Sequence, residues 1–123
     1  MVVSIKVKGI EDVQAELKKK EKDIKNGMGN ALIQVGGFME GEVKSSIAGQ
    51  RDEPTSVDTG RFLNSVMHSI AAESVTIFSD VYYAQFLEYG TSYMAARRHF
   101  NNSLDRNQKK VNEYFKDEIS KEL

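Results

Sequence analysis

The sequence predicts a single α+β domain, in which a small antiparallel sheet packs against a long N-terminal helix and a C-terminal helix. Residues 3–8 alternate apolar and polar side chains, which is the pattern of a strand with one buried face. Apolar residues recur at helical spacing over residues 10–48 and again over residues 99–121. Between these helices lie two strand-like segments, residues 61–70 and 74–79. Strands and helices therefore segregate along the chain, and its 123 residues suffice for one such domain.

The predicted first helix is rich in glycine, which is unusual for a helix interior. Each glycine costs about 1 kcal/mol relative to alanine at such a position. We therefore expect either a break in the helix near residues 27–29 or the close approach of another backbone along residues 36–41. The glycines concerned are Gly27, Gly29, Gly36, Gly37 and Gly41.

The middle of the chain predicts a loop followed by two strands and a short helix. Residues 49–60 are polar and contain the only proline, so we expect a loop there and the most mobile segment of the chain. The strand predicted for residues 61–70 competes with a helix, since its apolar residues also fit one helix face. A turn near residues 71–73 joins it to the next strand. Residues 82–89 predict a short helix, which Gly90 ends as a C-terminal cap.

The amino-acid composition excludes several functional classes, among them cysteine-based sites and membrane-spanning proteins. The chain contains no cysteine, which excludes disulfides, thiolate metal sites and cysteine nucleophiles, and suits a reducing compartment. Its 17 basic and 18 acidic residues give a net charge of −1, so no overall field attracts nucleic acid. No apolar run approaches the roughly 20 residues that span a bilayer, and the N-terminus lacks the apolar stretch of a signal peptide. We expect a soluble protein without membrane contact.

Asp58, Thr59 and Gly60 form the triplet that aspartic proteases use, so a homodimeric protease is one alternative. That chemistry needs two carboxylates that share a proton, each at the tip of a buried turn. Here the five preceding residues are a polar loop, and the cation of Arg61 opposes the shared-proton state. We favour the simpler interpretation, in which Asp58 caps a turn and Gly60 supplies a positive φ angle.

The two histidines do not indicate a metal site. His68 and His99 are far apart in the sequence, and neither has a partner at the short spacing typical of metal ligands. We expect His68 to be a partly exposed strand residue and His99 to stand at the start of the last helix.

Arg97 and Arg98 form a local basic cluster with His99 and the nearby Arg106. One interpretation is contact with phosphate, which would make the chain a nucleic-acid-binding module, or with an acidic patch on a partner protein. The simpler interpretation is a solvated face, or an ion pair with Glu88 inside the chain.

The segment 82–93 is rich in aromatic side chains, for which core packing is the simplest interpretation. Tyrosine is also enriched at subunit interfaces, so an interface role stays open. The residues are Tyr82, Tyr83, Phe86, Tyr89 and Tyr93.

Three blocks of the sequence occur in the order and at the spacing of a known family. They are residues 57–66 (VDTGRFLNSV), 83–92 (YAQFLEYGTS) and 94–97 (MAAR). These blocks resemble the V-D-T-G-R-L-x-x-S-I, Y-A-x-x-x-E-x-G-T and M-x-A-R-P-F patterns of the phage HK97 gp10-like family. The similarity covers about residues 57–104.

The chain departs from the family pattern at the approach to the last helix. Arg98 and Asn102 stand where proline is usual, and His99 stands where phenylalanine is usual. Because proline restricts the backbone, we expect this approach to be less rigid here.

The resemblance implies a structural virion protein at the head–tail junction of a tailed bacteriophage or prophage, that is, a neck or tail-completion protein. It implies copies of the chain in a ring of about six or twelve subunits, in contact with head-closure or connector proteins and with tail terminator or tube proteins. Phage DNA would touch such a ring only in passing. The protein would lie in the virion, and in the host cytoplasm during assembly. The family pattern carries no catalytic residue and no cofactor, so we expect neither.

Residues of the motif blocks are the candidates for interfaces in such a ring. We expect Gly60 and Gly90 to reverse the chain, and Glu88 to pair with Arg61 or Arg97 and so hold the blocks together. We also expect the predicted loop to change conformation between the free subunit and the ring. The full set is Asp58, Thr59, Gly60, Arg61, Tyr83, Glu88, Tyr89, Gly90, Thr91, Arg97 and Arg98.

Overall fold

A computed structural model describes residues 3–8 and 21–122. Over these residues the chain forms a three-stranded antiparallel sheet with two long helices packed against it, which confirms the predicted α+β class. The N-terminal part of the predicted first helix, residues 10–20, lies outside the described residues. The elements in chain order are β1 (Val3–Lys8), α1 (Glu21–Ile47), α2 (Arg61–Ser65), β2 (Met67–Ile70), β3 (Ser74–Ser79), α3 (Ala84–Tyr89) and α4 (His99–Glu122).

The sheet has the order β1-β3-β2, so β3 is central and the other two strands are its edges. Both pairs are antiparallel, with Ile77 opposite Ile5 on one side and opposite His68 on the other. Alternation along β1 buries Val3, Ile5 and Val7 and exposes the residues between them. The face of the sheet that carries these buried residues meets the helices.

The hydrophobic core lies between this face of the sheet, α1 and α4. Both helices bury residues spaced three or four apart, because that spacing places side chains on one face of a helix. On α1 the buried stripe continues from Met28 to Ile47, and on α4 it runs from Phe100 to Ile119. The most deeply buried large apolar side chains include Leu32, Met39, Ile47, Ile77, Phe100 and Phe115.

Two of the glycines of α1 mark close contacts, and none of them marks a break. The helix is continuous through Gly27, so the predicted break near residues 27–29 was wrong. A Cβ atom on Gly27 would lie 2.9 Å from the carbonyl oxygen of Glu118, so the backbones of α1 and α4 cross there. The close approach predicted along residues 36–41 occurs at Gly36, but the neighbour is the ring of His68 and not another backbone.

The segment predicted as one strand, residues 61–70, contains a short helix and a shorter strand. α2 begins at Arg61 directly after Gly60, whose φ of 86° reverses the chain. The helix buries Phe62, after which the backbone becomes extended and β2 starts at Met67. The strand prediction was therefore wrong for the first half of the segment, where the competing helix interpretation holds.

The remaining elements follow the prediction. The N–H of Ala71 donates to the carbonyl of Ser74 at 2.8 Å and closes the turn between β2 and β3. Gly90 ends α3 with a φ of 80°, as expected of a C-terminal cap. α4 starts at His99. Residues 49–60 contain neither helix nor strand, while their mobility stays a prediction.

The crossing of α1 and α4 predicts opposite effects for two glycine-to-alanine substitutions on one helix. Gly27→Ala should lower the free energy of unfolding by about 1–3 kcal/mol, because the added methyl group meets backbone atoms of α4 that cannot rotate away. Gly37→Ala should raise it by up to about 1 kcal/mol, because nothing lies within 4 Å of its Cβ position and alanine favours the helix. Urea unfolding of both variants measures this, and equal effects would contradict a tight crossing at Gly27.

Candidate functional site: a surface cleft beside a buried polar chain

The three motif blocks, which are separate in the sequence, meet at one open surface cleft with a volume of about 550 Å³. The loop before α2 forms one wall, and α3 with the segment after it forms the other. Six of the predicted interface residues lie here, from the first block, from Tyr83 and from Arg97. The lining residues are Thr55, Ser56, Val57, Asp58, Thr59, Gly60, Arg61, Phe62, Tyr83, Leu87 and Arg97.

The cleft has an apolar inner surface and a polar margin. Phe62 is buried, and its ring meets the ring of Tyr83 edge to face, with 6.2 Å between the centroids. Leu87 is half-buried on the same face of α3. At the margin, the left-handed backbone of Gly60 turns the chain so that Arg61 begins α2 and remains exposed. The cleft therefore combines aromatic surface with cations at its edge.

Asp58 is exposed at this margin, and within the described residues its carboxylate makes no hydrogen bond or ion pair. A protease dyad needs a buried carboxylate between apolar strands. Here a polar loop precedes Asp58, and a helix follows from Arg61. The geometry gives no support to the aspartic protease, which stays an untested alternative.

A continuous chain of hydrogen bonds runs behind the cleft, and we refer to it as the polar chain. It crosses from the surface of α4, through the interior, to the cleft wall. Two guanidinium groups stand at its ends, with one carboxylate, two hydroxyls and one imidazole between them. Its members in order are Arg106, Glu53, Ser46, His99, Ser56 and Arg97.

The distances along the polar chain are short throughout its interior. The Ser46 hydroxyl lies 2.5 Å from Glu53 Oε1 and 2.7 Å from His99 Nδ1. On the other side of the ring, His99 Nε2 lies 2.7 Å from the Ser56 hydroxyl. Arg97 Nη1 then donates to the same hydroxyl at 2.9 Å.

The carboxylate of Glu53 determines which group donates in the hydrogen bonds of the polar chain. Glu53 can only accept, so the Ser46 hydroxyl donates to it and has only its lone pairs left for His99. His99 must therefore carry its proton on Nδ1 and donate it to Ser46. Its Nε2 is then an acceptor, which receives the proton of Ser56, while Arg97 donates to the Ser56 oxygen. The imidazole is neutral in this arrangement.

The electrostatics agree with a neutral imidazole. Burial lowers the pKa of His99 to about 4, the Glu53 charge opposes this shift, and the Arg97 charge adds to it. Burial by itself raises the pKa of Glu53, but hydrogen bonds from Arg106, Ser46 and Asn102 outweigh it, so that the pKa lies below its usual value. Both groups are thus held in the protonation state that the polar chain requires.

A serine hydroxyl that donates to an imidazole, itself oriented by a third group, is the arrangement of a nucleophile and its base. A base must accept the proton, and a pKa of about 4 makes His99 a weak proton acceptor. The polar chain therefore fits a structural role better than catalysis. It ties the loop to both long helices, since Ser46 belongs to α1 and His99 to α4.

The loop is also attached to the end of α1 by its backbone. The N–H of Ser56 donates to the carbonyl of Ile47 at 2.7 Å, and the Thr55 hydroxyl donates to the same carbonyl at 3.1 Å. Arg97 Nη1 donates to the carbonyl of Thr55 at 2.6 Å. The part of the loop that forms the cleft wall is thus held at several points.

Glu88 is almost fully buried and caps the start of α4. Its carboxylate accepts the backbone N–H groups of Phe100 and Asn101, both at 2.9 Å, and the Asn101 side-chain amide at 2.8 Å. The first N–H groups of a helix have no partner within the helix, and a carboxylate there also favours the helix dipole. Glu88 makes these bonds in place of the predicted ion pair with Arg61 or Arg97, which is absent from the described residues.

Arg98 adopts a backbone conformation that proline cannot adopt. Its φ is 54°, its N–H donates to the carbonyl of Glu88 at 3.2 Å, and its own carbonyl accepts the first helical bond of α4. Proline has φ fixed near −65° and no N–H. A proline at residue 98 would therefore not fit this conformation and would lose the hydrogen bond to Glu88.

The cations of the predicted basic cluster are engaged within the chain. Arg97 binds the loop, and Arg98 donates to Asn102 at 3.0 Å and lies 3.7 Å from Asp105. Arg106 makes a two-pronged contact with Glu53 at 3.0 and 3.1 Å. This geometry does not favour the nucleic-acid-binding alternative, which stays untested.

The other predicted interface residues do not line the cleft and lie on α3 or in the segment after it. Tyr89 is exposed on α3, and Gly90 packs so tightly that a Cβ atom there would lie 2.8 Å from the backbone nitrogen of Ala96. Thr91 pairs with Met94 across a narrow turn, residues 91–94, which we call the tyrosine turn because Tyr93 stands at its tip.

Sequence reasoning missed the polar chain. It placed His99 at the start of a helix but had no means to find its partners, which come from residues 43 and 53 positions earlier. The only signal in the sequence was that His99 stands where the resembled pattern has phenylalanine, a residue that is usually buried.

Comparison with protein-family models, with curated proteins and with solved structures finds no match for this chain. Within residues 3–8 and 21–122, no set of histidine and acidic side chains could hold a metal ion. No helix in the same residues is long and apolar enough to cross a bilayer. Function is therefore inferred from the residues and their geometry.

The capping role of Glu88 predicts a large effect for a nearly isosteric substitution. Glu88→Gln should lower the free energy of unfolding by about 1–3 kcal/mol, because one acceptor oxygen is replaced by a donor that faces N–H groups. Glu113→Gln, on the exposed surface of α4, is the control and should change it by less than about 0.5 kcal/mol. Thermal and urea unfolding measure both, and equal losses would contradict the cap.

The buried imidazole predicts a pH dependence of stability. The pKa of His99 is lower in the folded chain than its ordinary value of 6.5, so the unfolded chain binds more protons between about pH 6.5 and pH 4. The contribution of the neutral imidazole to the free energy of unfolding is complete above pH 6.5. It is lost as the pH falls through the folded pKa, by about 3 kcal/mol, since each pKa unit corresponds to about 1.4 kcal/mol.

His99→Gln tests this dependence, because glutamine offers a donor and an acceptor but does not titrate. Its free energy of unfolding should vary less than that of the wild type between pH 6.5 and pH 4. Glu42, whose pKa lies below the usual 4.5 and which has no contact with His99, titrates in both proteins and so cancels in the difference. Parallel curves for the two proteins would overturn the assignment.

Proposed function

We propose that this chain is a structural assembly subunit at the head–tail junction of a tailed bacteriophage or prophage, where it acts as a neck or tail-completion protein through ring assembly. The observation that carries the proposal is the convergence of the three motif blocks on one surface cleft. These blocks are the part of the chain that resembles the phage HK97 gp10-like family. Their spatial proximity supports the view that they act as one unit.

The roles of the motif residues also support a structural protein. Gly60 and Gly90 provide left-handed turns, and Glu88 caps a helix. These residues shape the surface, while Asp58 and Arg61 remain exposed on it. Such a division suits a subunit that works through contacts with copies of itself in a ring, with head-closure or connector proteins, and with tail terminator or tube proteins.

Inactivation of the coding sequence in the virus that carries it tests the proposal. We expect filled heads and separate tails to accumulate unjoined, because the subunit that completes the junction is missing. Electron microscopy of lysates counts joined and unjoined particles. Particles that join heads to tails normally without the protein would refute the proposal.

Complementation in trans separates this function from the protease alternative. The wild-type chain and Asp58→Asn should both restore joined particles, because the exposed Asp58 carboxylate has no partner within the described residues. Cleavage of a virion protein that depends on the wild-type chain and is abolished by Asp58→Asn would instead support the protease.

A further inference from the structure

Four aromatic side chains are exposed around α3 and the tyrosine turn. Tyr93 is 98% exposed, Tyr82 68%, Tyr89 60% and Phe86 43%. Core packing, the simplest interpretation of their sequence, therefore does not apply to them. Tyrosine and phenylalanine are enriched at subunit interfaces, which is the role that their exposure suggests here.

Tyr93 is presented on a backbone that is already ordered. The N–H of Thr91 donates to the carbonyl of Met94 at 2.8 Å, and the N–H of Tyr93 donates to the Thr91 hydroxyl at 3.1 Å. Gly90 at the base of the turn leaves no room for a side chain. Little backbone order remains to be lost when the ring of Tyr93 enters a partner, which favours binding.

The cleft has the chemistry that a tyrosine ring requires. Its inner surface presents the half-buried Tyr83 and Leu87 above the buried ring of Phe62, and aromatic rings pack well on such a surface. Its margin carries the exposed Arg61, whose guanidinium makes no hydrogen bond or ion pair within the described residues and is free to lie over an aromatic face. A volume of about 550 Å³ is within the range of sites that enclose small molecules, about 300–1,000 Å³.

We propose that Tyr93 of one copy docks into the cleft of a second copy. The same chain carries a projecting aromatic group and a concave site that complements it, and these are two different surfaces. Contacts between different surfaces are heterologous, and they produce rings when the rotation closes. The inference rests on the proposed function for ring closure, but the docking contact itself can be tested alone.

Disulfide cross-linking of the full chain tests the contact, because the chain has no cysteine of its own. Ser92→Cys, which places a thiol beside the intact Tyr93, and Asp58→Cys, each in a separate chain, are mixed in equal amounts and oxidised, with an affinity tag on one of them. Both side chains are exposed, so neither change should disturb folding, which circular dichroism verifies. We expect cross-linked dimers that contain one chain of each kind.

The matched control replaces Asp58→Cys by Lys109→Cys, which is equally exposed but lies on α4, away from the cleft. Mixed dimers with Asp58→Cys should form at least about tenfold faster than with Lys109→Cys, since oriented thiols react as if highly concentrated. Equal rates for the two pairs would overturn the docking.

Self-association of the chain provides a second measurement. Tyr93→Ala should weaken it by about tenfold or more in sedimentation velocity, as expected for a central aromatic contact. Tyr93→Phe keeps the ring and should retain most of the affinity. An alanine variant that associates as well as the wild type would overturn the proposal.

The double variant Ser92→Cys with Asp58→Cys, which keeps Tyr93, separates the docking from the ring. A ladder of cross-linked oligomers supports both. Dimers alone uphold the docking as a reciprocal contact and overturn the ring of the proposed function. If the chain cross-links but is absent from virions, the docking is upheld and the virion role is refuted. If the chain is present in virions but does not cross-link, only the docking is refuted.

Discussion

The need to pair buried polar groups at the start of α4 is the constraint on which the rest of the structure depends. His99 is fully buried and Glu88 almost so, and an unpaired group at either position would cost about 1–3 kcal/mol. Their partners come from α1, from the loop after it and from α4 itself, so these elements must meet at one place. The same pairing leaves no buried side-chain polar atom without a partner in the described residues.

The cleft is a consequence of this buried network. Ser56 and Arg97 belong both to the polar chain and to the cleft wall, so the position of the wall is set from the interior. The cleft is therefore a preformed surface, even though a loop without regular secondary structure builds half of it. A preformed concave surface suits a subunit that must meet its neighbours repeatedly in one geometry, because little order is lost on binding.

A glutamate and a histidine are buried, while tyrosines around α3 are exposed, although the phenylalanines Phe62, Phe100 and Phe115 lie in the core as usual. A fully buried glutamate is uncommon and occurs where its carboxylate is paired, as it is here by the N–H groups of α4. A subunit that completes its core alone but exposes aromatic surface for neighbours has the division that assembly by protein contacts requires.

The sequence by itself determined the fold class, the buried strand β1, both long helices and the cap at Gly90, because these depend on local periodicity and on the conformational freedom of glycine. Only the tertiary structure decided the rest. Whether residues 61–65 formed helix or strand depended on the burial of Phe62, and the role of Gly27 depended on where α4 crosses α1. The partners of Glu88 and His99 likewise came from distant positions, since hydrogen bonds between segments leave no periodic signal along the chain.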